Sequence, residues 1–211
     1  MQVPPGAAIL GVLALEEKRA IRPGIPALTV RPADDRVSPS VRSLHVVLFQ
    51  PEIPQNAGNV ARSAAAAGAK LHLIEPLGFF LGDRHLRRAG LEYWDRLDVS
   101  LHRNLDELMA ANPGALFAFL TKKAVRPYIE IEVSGDVFLV FGRESTGLPD
   151  EILEANRDRC YRIPTRPDVR SLNLAAAAAV VLFDVLRRAG FPGTSEPKDR
   201  PLTGTLASVR G

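Results

Sequence analysis

Between about residue 44 and residue 193 the chain alternates two apolar patterns. Leu44-His45-Val46-Val47-Leu48-Phe49 is a nearly continuous apolar run, as a strand covered on both faces should be. Lys70 to Ile74, Ala115 to Leu120, Val137 to Phe141 and the short Tyr161 to Ile163 read as further strands. Asn56 to Gly68 predicts an Ala-rich helix closed by Gly68. Asn104 to Ala111 predicts a helix capped by Asn104, with Glu107 at capping-box spacing. Asp83 to Ala89 reads as a short basic helix or loop, and Asp150 to Ala155 as a short helix. Ser171 to Arg188 predicts a long helix with Ser171 as its N-cap, Arg187 and Arg188 in its last turn and Gly190 just beyond. Strands alternating with helices imply an α/β fold, a mainly parallel sheet with helices on both faces. In such sheets ligands bind beyond the carboxyl ends of the strands.

The two ends lack this pattern. Residues 1–43 are broken by Pro4, Pro5, Pro23, Pro26, Pro32 and Pro39, and predict an extension that is largely disordered or loosely attached. Residues 194–211 read as a flexible tail. The expected domain is therefore 44–193, one well-buried unit within 211 residues.

Composition changes this picture little. The chain is 46% hydrophobic and 24% charged, as an ordinary soluble globular protein is. Its net charge of +3 suits an anionic partner such as RNA without requiring one. Cys160 is the single cysteine, which excludes an internal disulfide and argues against a thiolate metal site. Its setting in Cys160-Tyr161-Arg162-Ile163 is that of a half-buried strand position. His45, His72, His85 and His102 show no metal-ligand spacing, and no metal is expected. No apolar run approaches the roughly 18 residues of a membrane span. Ala7 to Leu15 is apolar but follows no basic residue and runs into Glu16, a poor signal peptide. A cytoplasmic protein, not bound to membrane, is the expectation.

Three strand-to-helix junctions carry polar residues that packing does not require. The first is Asn56-Ala57-Gly58-Asn59-Val60-Ala61-Arg62, in which Asn56, Asn59 and Arg62 recur at a spacing of three, toward one helical face. Gly58 costs helix stability, which close approach of a backbone or ligand would justify. A capped helix with a solvated polar face explains the same spacing. The second is Phe141-Gly142-Arg143-Glu144-Ser145-Thr146-Gly147-Leu148, a buried strand entering a Gly-flanked charged turn. A plain connection to the next helix is the alternative. The third runs from Ile163-Pro164 through a basic loop to Ser171-Leu172-Asn173-Leu174. Capping accounts for Ser171 but not for Asn173. Phosphate-loop, dinucleotide and nucleophile-elbow motifs are all lacking.

Taken in order, the three junctions resemble the three motifs of the SPOUT superfamily of RNA methyltransferases. Asn56-x-Gly58-Asn59-x-x-Arg62 is similar to the first, Phe141-Gly142-x-Glu144-x-x-Gly147-Leu148 to the second, and Ile163-Pro164 with Ser171-Leu172-Asn173-Leu174 to the third. Pro51-Glu52-Ile53-Pro54, Leu86 to Trp94 and Phe191-Pro192-Gly193 narrow the resemblance to the small TrmL-like enzymes that methylate the tRNA wobble nucleotide. The resemblance covers about residues 44–193.

It implies a C-terminal trefoil knot, a homodimer, S-adenosyl-L-methionine as methyl donor and the tRNA anticodon stem-loop as partner. The donor would be held by Leu120, Gly142, Ile163, Ser171, Leu172 and Leu174. Arg62 would lie near the target ribose, with Asn56, Glu144 and Asn173 shaping the site. A guanidinium normally stays charged, so Arg62 is expected to stabilise the developing alkoxide electrostatically rather than to act as a base. Arg84, Arg87, Arg88, Arg166 and Arg170 are the candidates for phosphate contacts; a solvated basic face is the alternative for each. Phe183 stands where the family often has Tyr. A related enzyme for another tRNA or rRNA position, and a non-catalytic RNA-binding protein on the same fold, are the rival readings.

Overall fold

The computed structural model describes residues 41–81, 97–168 and 171–193. Among them, β1 (Val41–Phe49), β2 (Lys70–Ile74), β3 (Val99–His102), β4 (Leu116–Leu120), β5 (Gly135–Phe141) and β6 (Cys160–Tyr161) form one sheet in the order β3-β2-β1-β5-β4-β6. All the pairings are parallel. The helices are α1 (Pro54–Ala67), α2 (Leu105–Ala111), α3 (Asp150–Ala155) and α4 (Leu174–Arg188).

Alternation along each strand builds two cores. Val46, Leu48, Leu71, Leu73, Ala118, Val137, Leu139 and Phe141 face α1 and α4. Val47, Phe49, Ile74, Phe117, Phe119, Phe138 and Val140 face α2 and α3. Both faces are covered, so the central strands carry nearly continuous apolar runs, with His45 and His72 as buried exceptions. Small residues of α1 (Ala57, Ala61, Ala64) and Ala178 of α4 share the first core, where short side chains permit close helix packing.

Several boundaries differ from the sequence expectation. β1 begins at Val41, three residues inside the stretch assigned to the extension. Pro54 occupies the first turn of α1, so that helix opens before Asn56. β3, Val99-Ser100-Leu101-His102, is a four-residue edge strand whose polar alternation leaves no apolar run to mark it in the sequence. Ser171 is not the cap of the last helix. Asn173 is, its side-chain oxygen accepting from the Ala175 and Ala176 amides at 2.9 and 3.3 Å. The Asn104 cap forms as expected, accepting from the Glu107 amide at 2.7 Å. Gly68 closes α1 in the left-handed region, φ 66°. The basic segment Asp83 to Ala89 and both terminal stretches, 1–40 and 194–211, lie outside the described residues.

The strand order positions the site. From β1 the chain crosses by α1 to β2 on one side; from β5 it crosses by α3 to β6 on the other. The neighbours β1 and β5 thus form the switch point, and the ligand crevice expected of such sheets lies beyond their carboxyl ends.

Candidate active site

The three polar junctions meet at that crevice. Glu144, in the turn after β5, reaches the start of α1. Its carboxylate accepts from the Glu52 amide (2.9 Å), the Ile53 amide (3.3 Å) and Asn56 Nδ2 (3.0 Å). An anion is favoured there because the first peptide dipoles of a helix point at it. Asn56 is buried, and its Oδ1 accepts from Asn173 Nδ2 at 2.9 Å. Asn173 therefore does two things at once: its oxygen caps α4 and its nitrogen ties α4 to α1. Residues separated by 88 and 117 positions in sequence close into one hydrogen-bonded chain, Glu144–Asn56–Asn173.

A second carboxylate runs the other way. Glu52 accepts from the Ser145 amide at 2.9 Å and the Ser145 hydroxyl at 2.7 Å. The Ser145 hydroxyl, then its amide, hold the Glu52 carboxyl below the usual carboxylate range. Glu52 appeared in the sequence only as part of a flanking motif. An acid just before a helix start is the signal that marks it. Ser145 carries no sequence signal, since its partner is 93 residues away.

The turn itself demands glycine. A Cβ at Gly142 would sit 2.2 Å from the Gly147 carbonyl carbon and 2.3 Å from the Leu148 nitrogen. Arg143 and Gly147 exchange backbone hydrogen bonds of 3.2 and 3.0 Å, and Gly147 takes φ 76° to close the loop.

Leu120, Gly142 and Ile163 lie along one rim. Leu120 pairs with Phe141 on one side and Tyr161 on the other, so the ends of β5, β4 and β6 are side by side. Leu120, Ile163 and Leu174 pack partly on the same core and stay half exposed. They give the strand ends a half-exposed apolar edge. Ser171 and Leu172 are exposed beside it in sequence, before the Asn173 cap.

The first motif does not line a single face. A spacing of three on a 3.6-residue turn rotates each residue about 60° from the last. Asn56 is consequently buried, whereas Asn59 and Arg62 are exposed. Arg166 is exposed and pairs with Asp168 at 3.2 Å. Arg84, Arg87, Arg88 and Arg170 lie outside the described residues. Cys160 is buried, its Sγ 3.3 Å from the Asn156 carbonyl, and burial raises its thiol above the ordinary value, against a nucleophile. Among the described residues no cluster of His, Cys, Asp and Glu suits a metal ion, and no helix is long and apolar enough to cross a membrane.

A parallel α/β sheet with a polar network at its switch point defines a ligand-binding protein of the doubly wound class. The chain belongs to the SpoU rRNA Methylase family, whose model matches residues 43–183. It is 51% identical over 154 residues to the tRNA (cytidine(34)-2'-O)-methyltransferase of Burkholderia cenocepacia, a match covering 71% of this chain and 97% of that one. A solved structure described as giving insight into the 2-OH methylation of C/U34 on tRNA is 46% identical, with a TM-score of 0.66 over 70% of this chain and 97% of that one. The AviRb SpoU methyltransferase of Streptomyces viridochromogenes, solved in complex with AdoMet, is 25% identical, with a TM-score of 0.60 over 74% of this chain and 62% of that one.

Proposed function

We propose that this protein is an S-adenosylmethionine-dependent tRNA 2′-O-methyltransferase acting on the ribose of the wobble nucleotide, cytidine or uridine 34. The observation that carries the reading is the Glu144–Asn56–Asn173 chain at the β1/β5 crevice, which joins all three junctions. The near full-length match to a relative named for that reaction supports the substrate.

The residues present fit the methyl donor. Leu120, Ile163 and Leu174 offer the half-buried apolar floor, and Gly142, Ser171 and Leu172 offer backbone at its edge. Bound there, the donor would supply a sulfonium methyl group for in-line attack by the ribose 2′-oxygen, with the carbon–sulfur bond breaking to leave S-adenosylhomocysteine and the hydroxyl proton passing to solvent. The chain's task is positioning and charge. Asn56, Glu144 and Asn173 hold α1, the β5 turn and α4 in one setting. Arg62, exposed on α1, stabilises the negative charge developing on the 2′-oxygen. A 2′-hydroxyl target confines the reaction to RNA.

Arg166, with Arg84, Arg87, Arg88 and Arg170, contacts phosphates of the anticodon stem-loop. Val180, Phe183 and Phe191 remain exposed on and just after α4, an apolar surface that a second copy covers in a homodimer. The C-terminal half is read as carrying the trefoil knot, a reading supported by β6 lying at the sheet edge and α4 packing with α1 over the central strands. No metal takes part, and the cytoplasm is the place of action. A second reading, methylation of ribosomal RNA, is favoured by the family model's own description.

Mass-spectrometric mapping of ribose methylation in total RNA, with and without the gene, separates the two. Loss of the 2′-O-methyl at position 34 of tRNA is the expected result. An unchanged position 34 with a loss elsewhere overturns it.

A further inference from the structure

We propose that Glu52 is a positioning residue for methyl transfer, which with Ser145 fixes the Gly142–Gly147 turn against the start of α1. The activity part of this rests on the 2′-O-methyltransferase reading.

The two junctions are bridged in both directions. Glu144 reaches from the turn to the start of α1, and Glu52 reaches from the start of α1 back to the turn. Glu144 alone pins one residue of the turn. The Arg143–Gly147 pair only ties the turn to itself. The exposed apex, Ser145, is held by Glu52 through two hydrogen bonds from one residue, which fix its orientation as well as its distance.

Glu52 is in turn held from behind. The Gly78 amide donates to the Pro51 carbonyl at 2.9 Å. A Cβ at Gly78 would come within 2.7 Å of the Glu52 Cα, so the loop after β2 lies directly on the Glu52 backbone. Three strand-end loops, after β2, β1 and β5, are thus stacked in series, and Glu52 is the middle member. The last of them carries Gly142, on the rim proposed for the methyl donor. The middle one leads into the helix that carries Arg62. A half-exposed carboxylate adds little to stability. Its effect falls on the relative setting of these two elements, where a 1 Å error costs about 100-fold in rate.

The test uses the full chain, isothermal titration with S-adenosylmethionine, and methyl transfer to a tRNA anticodon stem-loop transcript. Glu52→Ala is expected to lower kcat by about tenfold or more, with the RNA KM within about twofold and S-adenosylmethionine binding weakened. Glu52→Gln restores most of the rate, because its carboxamide oxygen accepts from the Ser145 amide and its nitrogen donates to the Ser145 hydroxyl. Ser145→Ala falls between them, and Ser145→Thr, which keeps both donors, stays near wild type.

Glu52→Ala with kcat and donor affinity within twofold of wild type overturns the proposal, as does Glu52→Gln impaired as deeply as Glu52→Ala. If Glu52→Ala fails to fold, the contrast between Ser145→Ala and Ser145→Thr decides in its place. A wild-type chain that methylates no RNA defeats the activity reading alone. Donor affinity in the Ser145 and Glu52 variants then still supports or overturns the clamp.

Discussion

His45 Nδ1 lies 2.8 Å from His72 Nε2 across the β1–β2 pair. That contact is one link of a longer chain. His72 Nδ1 meets His102 Nε2 at 2.9 Å, and the Ser43 hydroxyl lies 2.7 Å from His45 Nε2 while donating to Asp136 Oδ1 at 2.7 Å. The Ser43 hydroxyl, more than Arg42, keeps the Asp136 carboxyl below its ordinary value, so Asp136 is an acceptor only. Ser43 donates its hydrogen bond to Asp136 and must accept from His45 Nε2–H. The order propagates: His45 Nδ1 accepts from His72 Nε2–H, and His72 Nδ1 accepts from His102 Nε2–H. The Phe138 ring stacks on His45 with centroids 3.9 Å apart, which closes the apolar side.

The chain predicts acid sensitivity. Burial, with smaller Coulombic help from Lys70, lowers His45 to about 4. Burial first, then His45 and His102, lowers His72 to about 3. Both imidazoles stay neutral in the native state, while in the unfolded chain they take up protons near 6.5. Stability is therefore full above about pH 6.5 and falls as pH drops from there toward 4 and then 3. Urea unfolding at pH 7.5 and pH 5 measures it: the midpoint moves down at pH 5, and His72→Gln flattens the difference. Equal midpoints for wild type at both pH values refute the assignment.

Removing the Glu144 carboxylate leaves three donors without their acceptor, the Glu52 and Ile53 amides and Asn56 Nδ2. Glu144→Ala is expected to cost about 1–3 kcal/mol, toward the low end because Glu144 is half exposed. Methyl transfer falls further than this stability loss explains. Denaturant unfolding and kcat/KM on one preparation make the comparison.

The two jobs of Asn173 separate by substitution. Asn173→Ala loses both and costs about 1 kcal/mol as a lost cap. Asn173→Asp keeps an oxygen for the Ala175 and Ala176 amides but sets its second oxygen against Asn56 Oδ1. The Asp variant should therefore unfold near the wild-type midpoint and still lose methyl transfer. Normal turnover in Asn173→Asp would show the tie to Asn56 to be dispensable.

Gly142→Ala is expected to be severe. Its Cβ would lie 2.2 Å from backbone, which no rotamer change relieves. A loss of about 3 kcal/mol, at the upper end for overpacking, is the expectation from thermal or denaturant unfolding. An Ala variant as stable as wild type would mean that the turn has room to open.

Arg62 is tested by rate and pH together. Arg62→Ala should lower kcat about 10²–10³-fold, as loss of one preorganised charge on a developing oxyanion does. S-adenosylmethionine affinity should hold. A near-normal rate in Arg62→Lys with an unchanged pH–rate profile would remove any special role for the guanidinium.

By itself the sequence determined the elements and the places where chemistry was worth seeking. Runs such as Leu44 to Phe49 and Val137 to Phe141 announce central parallel strands because both their faces are buried. Asn104 and Gly68 announce helix ends because capping is local in sequence. Glu144, Asn56 and Asn173 stood out as polar residues that packing did not need. Tertiary structure alone decided what they do: Asn173 rather than Ser171 caps α4, and Asn56 turns inward while Asn59 and Arg62 face out. Only the fold brings Glu52 to Ser145 and lines up His45, His72 and His102 on adjacent strands. The physical reason is the range of each interaction. Periodicity and capping act over a few residues and are written in order along the chain. Hydrogen bonds between loops of neighbouring strands depend on which strands become neighbours, and the sheet order β3-β2-β1-β5-β4-β6 is set by the packing of the whole domain.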